Sequence, residues 1–245
     1  MTSINYNHSQ NLHIIDGPSI IFPIVKDKYK PKSILDVGCG VGTWLKIVSD
    51  YGIEDFIGID GIEVETKDFF SSKEKFQKHD LTSYWDIGRK FDLILCLEVA
   101  EHLPDDLASN FIQILTNHAD AIIFSAACPN QPGQGHINCQ WIEYWQDLFN
   151  KYGYACFDEI RPLIWNKSFP EWWYKQNIFI AKKDKVNAGK ESRIHSMIHP
   201  DLYMETSKSL DRLNQIAIGN SNVRTYLDLF VKSIMRKLTP LKINK

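Results

Sequence analysis

Ile34-Leu-Asp-Val-Gly-Cys-Gly-Val-Gly-Thr-Trp44 reads as a buried strand that breaks into a glycine turn and then enters a helix. Ile34, Leu35 and Val37 supply the short apolar run of a central parallel strand, and Gly38, Gly40 and Gly42 follow at once. With no Cβ atoms to crowd the turn, a ligand can approach the backbone closely and meet the amides at the start of the helix. Two cofactor classes use such a turn. In a dinucleotide fingerprint the third glycine falls three residues after the second, where this chain carries Thr43. Here the spacing is Gly-x-Gly-x-Gly, and Asp36 stands two residues before the first glycine. A carboxylate there would repel a pyrophosphate but suits a ligand with an ammonium group and a sulfonium.

On these residues the chain resembles the class I S-adenosylmethionine (SAM) dependent methyltransferases, whose first motif is an acidic strand end followed by Gly-x-Gly-x-Gly. The resemblance covers about residues 31–183 and is most specific at the first, second and fourth strands. It implies an α/β fold, a doubly wound, seven-stranded, mostly parallel sheet of the Rossmann-like methyltransferase type. The alternation of strand and helix along the chain predicts the same architecture. Three regions follow: an N-terminal arm and helix over 1–30, the methyltransferase domain over 31–183 and a helical C-terminal extension over 184–245.

A length of 245 residues suits one core with extensions. A net charge of -2 provides no electrostatic footprint for nucleic acid. The polar start, Met1 to Asn11, does not read as a signal peptide, and no apolar run approaches the roughly 18 residues of a membrane helix. The five cysteines, Cys39, Cys96, Cys128, Cys139 and Cys156, make an odd count with no C-x-x-C pair, which fits reduced thiols and a cytoplasmic protein. Cys128, His136 and Cys139 can be drawn as a zinc site, but a fourth partner and the usual spacing are missing.

Residues 1–16, with His8 and His13, lack periodicity and read as an arm over a ligand or a frayed terminus. From Gly17 to Tyr29 apolar residues recur at helical spacing, with Pro23 disturbing the run. Strands are predicted at Phe56–Asp60, Phe76–Leu81, Phe91–Leu97, Ala121–Ser125, Tyr154–Ile160 and Asn177–Ala181. Helices are predicted at Trp44–Tyr51, Asp105–His118 and Trp141–Tyr152, with an irregular loop over Ala126–Gln140. Asp60, at the end of the second strand, fits an acid that grips a ribose. The resemblance adds an adenine contact at Asp80 and Leu81, so the expected cofactor set is Asp36, Gly38, Cys39, Gly40, Gly42, Asp60, Gly61, Asp80, Leu81 and Leu97. Lys182 to Glu191 reads as a charged linker. Beyond it Val223, Leu227, Phe230, Val231 and Ile234 form an apolar stripe suited to the core, a second subunit or a membrane surface.

Glu98-Val-Ala-Glu-His102 leaves the fourth strand where the transferred methyl lies in this fold. On a helical turn positions i, i+3 and i+4 share a face, which would join two carboxylates and an imidazole. Glu-x-x-Glu-His is similar to the metal motif of ubiquinone-pathway O-methyltransferases. It also resembles that of the small-RNA terminal ribose methyltransferases, which add a histidine from a later loop; here Gly133-Gln-Gly-His136 supplies the candidate. The expected metal set is therefore Glu98, Glu101, His102 and His136, with Mg or Mn ahead of Zn. In methyltransferases without a metal the same Glu-His pair caps a helix or orients the substrate. Glu101, His102 and His136 are then the catalytic candidates, either histidine serving as general base.

Such chemistry is an in-line displacement on a sulfonium, whose departure needs no proton, so the protein's task is to align the acceptor and deprotonate it. Trp165, Trp172, Trp173 and Tyr174 offer faces for a sugar or base, and Arg161, Lys167 and Lys175 could meet phosphates. The Gly-His-x-Asn loop, the Trp-Tyr-x-Gln-Asn segment and the tail look like methyltransferases of bacterial surface-polysaccharide (capsule) gene clusters. That resemblance implies O-methylation of a nucleotide-linked or phosphorylated sugar, or of a phosphoramidate decoration. Ribose 2′-O-methylation of RNA and a catalytically silent partner subunit are the competing readings.

Overall fold

The computed structural model describes residues 6 and 14–238 of the chain. His8, His13 and most of the expected arm lie outside the described residues. The chain divides into two compact units, residues 1–199 and 200–245.

The first unit carries a seven-stranded sheet in the order β3-β2-β1-β4-β5-β7-β6. Its strands are β1 (Ser33–Val37), β2 (Asp55–Asp60), β3 (Phe76–Lys78), β4 (Leu93–Leu97), β5 (Ala121–Ser125), β6 (Tyr154–Phe157) and β7 (Phe179–Lys183). β1 to β5 pair in parallel, and β7 inserts antiparallel between β5 and β6. The expected mostly parallel, doubly wound sheet is therefore present.

Helices cover both faces. α1 (Asp16–Tyr29) and α2 (Thr43–Asp50) pack Phe22, Val25, Leu45 and Val48 against Ile34, Leu93 and Leu95. On the other face α3 (Asp105–His118) and α4 (Ile142–Lys151) pack Phe111, Leu115, Trp145 and Phe149 against Leu35, Ile94, Cys96 and Phe124. A central strand enclosed on both sides must be apolar at every position, so β4 reads Leu-Ile-Leu-Cys-Leu without alternation. α1 continues through Pro23, which forgoes one intrahelical N–H bond but does not end the helix.

Several boundaries differ from expectation: β4 begins at Leu93 instead of Phe91, and β6 ends at Phe157 instead of Ile160. β3 stops at Lys78 because Asp80 turns the chain, its Oδ1 accepting from the Thr82 amide at 2.9 Å. Arg161–Ile164 forms the short helix α5, and Trp172–Asn177 forms α6, so Asn177 ends a helix instead of starting β7. The segment after β7 is no free linker. Glu191 accepts from Gln146 Nε2 at 2.9 Å, Asn150 Nδ2 at 2.6 Å and the Cys156 amide at 3.1 Å, and Ile194 is buried. The first compact unit accordingly runs to His199 and includes this segment.

The second unit holds α7 (Pro200–Ala217) and α8 (Val223–Leu238). Tyr226 donates to the Ile216 carbonyl at 2.9 Å, tying the two helices. Val223, Leu227, Phe230, Val231 and Ile234 are exposed. No helix among the described residues is long and apolar enough to cross a membrane.

Glu159, after β6, fastens α1 to β7. It accepts from Tyr29 at 2.7 Å and Lys182 at 3.1 Å, and pairs with Lys28 at 3.0 Å. Burial alone would raise its carboxyl, but these hydrogen bonds outweigh it and bring the group from 4.5 down to about 2. Its contribution is therefore complete above the ordinary glutamate range and fades as pH falls towards 2. Glu159→Gln is expected to lose about 1–3 kcal/mol at pH 7. Urea unfolding at stepped pH should show the gap from wild type closing below about pH 4.5; a gap independent of pH would refute the assignment.

Candidate functional site

The glycine turn is stapled to the end of β2. The Gly38 and Cys39 amides donate to the Ile59 carbonyl at 2.8 and 3.1 Å, and the Gly40 amide donates to Asp60 Oδ2 at 2.9 Å. Gly38, Gly40 and Gly42 all have positive φ, 76°, 52° and 79°, a region that side chains other than glycine rarely enter. At Gly38 a Cβ would also lie 2.4 Å from Val99 Cγ2.

Beyond the turn lies a cavity of about 710 Å³. Of the residues expected to hold the cofactor, Asp36, Gly38, Cys39, Gly40, Asp60, Gly61, Asp80, Leu81 and Leu97 line it. Gly42 does not. It caps α2, and a Cβ there would meet the Phe69 ring at 2.9 Å, so its role is packing. Asp36 is buried, its Oδ2 has no hydrogen-bond partner, and burial followed by the nearby Asp60 charge pushes its carboxyl up to about 8. A cationic donor group would relieve that cost, which fits the ammonium of SAM.

Glu101, His102 and His136 line the same cavity, and one donor atom from each falls within 4.8 Å of the others. His136 Nε2 stands 3.9 Å from Glu101 Oε1, and the two imidazole centroids are 5.1 Å apart. Glu101 is wholly buried, and neither of its oxygens has a hydrogen-bond partner of ordinary geometry. Burial, reinforced by the Glu98 charge, raises its carboxyl well above the usual range. The later loop is brought to this cluster by backbone bonds: the Ile137 and Asn138 amides donate to the Glu101 carbonyl at 2.9 and 3.0 Å.

Glu98 does not join the cluster. Its φ of 56° is left-handed, so no helical turn runs from 98 to 102, and only Ala100–His102 closes a short 3-10 turn. Its carboxylate accepts from Gln131 Nε2 at 2.7 Å and Asn177 Nδ2 at 3.3 Å instead. Cys128 and Cys139 stand outside the metal-binding geometry found among the described residues.

Of the aromatic segment, Trp173 and Tyr174 line the cavity, as do Tyr6 and Glu171, while Trp172 is core and Trp165 packs on His199 at 4.7 Å. Tyr6 stands edge-on to His102 at 4.9 Å; burial first, then Glu101, Asp60 and Glu98, push its hydroxyl up to about 12. Arg161 is engaged by Asp158 and the carbonyls of Gln176 and His195, away from the cavity. Tyr6, Gln131 and Glu171 were not legible as site residues, since no motif marks them.

Gly133 makes room for His136. A Cβ there would lie 2.1 Å from His136 Nε2, so Gly133→Ala must displace the ring. We expect that variant to keep its SAM affinity within about twofold, because the atoms nearest the added Cβ all belong to His136. Methyl transfer should drop by about 100-fold, the order a misplaced group costs. Isothermal titration with SAM and a turnover assay would check both; unchanged turnover would remove His136 from the working site.

A family model described as a methyltransferase domain matches residues 18–183. A chloroplastic protein of Oryza sativa subsp. japonica named "Probable tocopherol O-methyltransferase" is 32% identical over 97 residues, 36% of this chain and 27% of that protein. The chain thus spans about a quarter of the curated relative it matches. Among solved structures, a candidate O-methyltransferase of Nostoc punctiforme aligns with a TM-score of 0.51 at 12% identity, over 69% of this chain and 56% of that one. The magnesium protoporphyrin IX methyltransferase of Synechocystis with bound SAH aligns at 0.49 and 21% identity, over 68% and 81%. The match across 18–183, on a sheet of this order with an acid-flanked triple-glycine turn, establishes that the chain belongs to the methyltransferase domain family, with the SAM-dependent methyltransferase fold.

Proposed function

We propose that the chain transfers the SAM methyl group to a hydroxyl oxygen of a small sugar-type acceptor, a nucleotide-linked or phosphorylated sugar of surface-polysaccharide synthesis. One observation carries the reading: Glu101, His102 and His136 face the cavity that Asp36, Asp60 and the glycine turn also line. When bound, SAM supplies a methyl group activated by its sulfonium. Asp36 would hold its ammonium, Asp60 its ribose, and Asp80 with Leu81 its adenine. The remaining work is to orient an alcohol and take its proton, and an imidazole in the cavity is suited to both.

Glu101, His102 and His136 would hold a divalent ion, which supplies acidity to a bound hydroxyl. The fit rests on the buried Glu101 carboxylate that lacks hydrogen-bond partners and on two imidazoles beside it. With Glu98 withdrawn, a set of one carboxylate and two imidazoles suits Mn or Zn better than Mg, which prefers oxygen ligands. Without an ion, burial lowers the His136 imidazole below the usual histidine range, so it stays neutral and able to accept a proton at pH 7.

Trp173 and Tyr174 supply flat faces of the kind that stack on a sugar ring. Among the described residues that line the cavity there is no lysine or arginine. The reading therefore has a hydroxyl-bearing ring enter, with any phosphate held outside or by the ion. All five cysteines are free thiols, which agrees with a cytoplasmic site of action.

Labelled SAM with a panel of nucleotide-linked and free sugars tests the acceptor; label appearing only on nitrogen or carbon would sink O-methylation. Asp60→Ala should weaken SAM binding at least tenfold, whereas His102→Ala should leave it intact and remove turnover. Full rate in excess chelator would eliminate the metal and leave the imidazoles as base.

A further inference from the structure

We infer that Glu98 and Gln131 are positioning residues, which hold His136 in a single tautomer with its Nε2 lone pair facing Glu101. The inference deepens the proposed function and rests on it only in taking His136 as a working group. The left-handed Glu98 backbone sends the carboxylate beneath the loop of residues 126–140. There it meets Gln131, which is buried and has both ends of its amide engaged. Gln131 Nε2 donates to Glu98 Oε2 at 2.7 Å, and its Oε1 accepts from Asn177 Nδ2 at 2.8 Å and the Cys128 amide at 3.2 Å. Only one orientation of that amide satisfies a carboxylate on one side and two N–H donors on the other.

The Gln131 backbone is fixed as a result, since its own amide closes a turn onto the Cys128 carbonyl at 3.0 Å. Its carbonyl oxygen lies 3.1 Å from His136 Nδ1. A carbonyl only accepts, so the proton of the neutral ring sits on Nδ1 and the lone pair on Nε2. That nitrogen is the one 3.9 Å from Glu101 Oε1. His102 follows the same rule at longer range, its Nδ1 being 3.3 Å from the Gly135 carbonyl. One loop thus engages the Nδ1 side of both rings, and Glu98 braces that loop from below. A residue three positions before Glu101 in a Glu-x-x-Glu-His pattern is in this chain a support for the cluster, not a member of it.

The test begins on metal-free wild type labelled with 15N in its histidines. At pH 8 two-bond 1H–15N correlations should show His136 as the Nδ1-H tautomer; an Nε2-H pattern would overturn the proposal without recourse to any variant. Gln131→Met, of equal length but unable to hold the loop, should mix the tautomers. It should also weaken Mn2+ binding by about 10–100-fold, the usual effect of removing a support behind a ligand. An unchanged His136 pattern in that variant would also refute the idea. Calorimetry with Mn2+ separates support from ligand: Glu101→Gln should abolish binding, while Glu98→Gln should weaken it by no more than about tenfold. Equal loss in the two would make Glu98 a ligand and overturn the assignment. Should wild type bind no Mn2+ at all, the metal reading fails and the tautomer measurements alone decide this one.

Discussion

The contact on which the site depends is the one between Gly38 and Val99. A Cβ at 38 would overlap the Val99 side chain, so the cofactor turn after β1 and the exit from β4 can approach only because residue 38 is glycine. That closeness sets the distance between the two halves of the cavity. On one side the turn is tied to β2 by Asp60 and the Ile59 carbonyl; on the other, Val99 lies between Glu98 and the Glu101-His102 pair. Parallel pairing of β1 with both β2 and β4 keeps all three strand ends at the same edge. In such a sheet ligands gather beyond those ends. The cofactor side and the reactive side are thereby one rigid piece, which is what in-line transfer between two bound molecules needs.

The cavity stores electrostatic cost. Asp36 and Glu101 are buried with carboxylate oxygens that lack partners, and both are displaced upward by desolvation before any neighbour is considered. Asp60 and Glu98 add like charge to each. A neutral protein-only partner would not relieve this, whereas a cation would, through attraction that grows as water is excluded. The two acids sit in different halves of the cavity, so two separate positive groups are accommodated. An ammonium suits the Asp36 end, and the divalent ion proposed above would suit the Glu101 end.

Much of this was readable in the chain. β5 and α3 were expected at the residues they occupy, because Ala121–Phe124 is an unbroken apolar run and Asp105–His118 shows a single apolar face. The residues expected to hold the cofactor could be named because glycines and strand-end acids fall at fixed spacing, and all but Gly42 line one cavity. What escaped was of another kind. The helical spacing of Glu98, Glu101 and His102 suggested one face, but a single left-handed residue at 98 cancels that geometry, and periodicity has no term for it. Gly42 looked like a third cofactor contact and instead answers to Phe69, a residue 27 positions later that no local pattern brings near. The same holds for Asn177, placed in a strand by its apolar sequel but drawn into α6 and the polar network beside Glu98.

The acceptor end shows how such long-range effects bear on specificity. Arg161, Lys167 and Lys175 are near Trp173 and Tyr174 in sequence and invite a phosphate, yet none lines the cavity. Arg161 in particular is spent on Asp158 and two carbonyls, a buried guanidinium used as internal bracing. What remains on the lining there is aromatic and acidic: Tyr6, Trp173, Tyr174 and Glu171, with the imidazoles of His102 and His136. A phosphate would find no lysine or arginine among the described residues of this lining, while the sugar ring proposed above would offer apolar faces to the aromatics and hydroxyl donors to the acids. For the proposed acceptor, where the cations are kept, with Arg161 in the brace behind the wall, would then matter as much as what the wall presents.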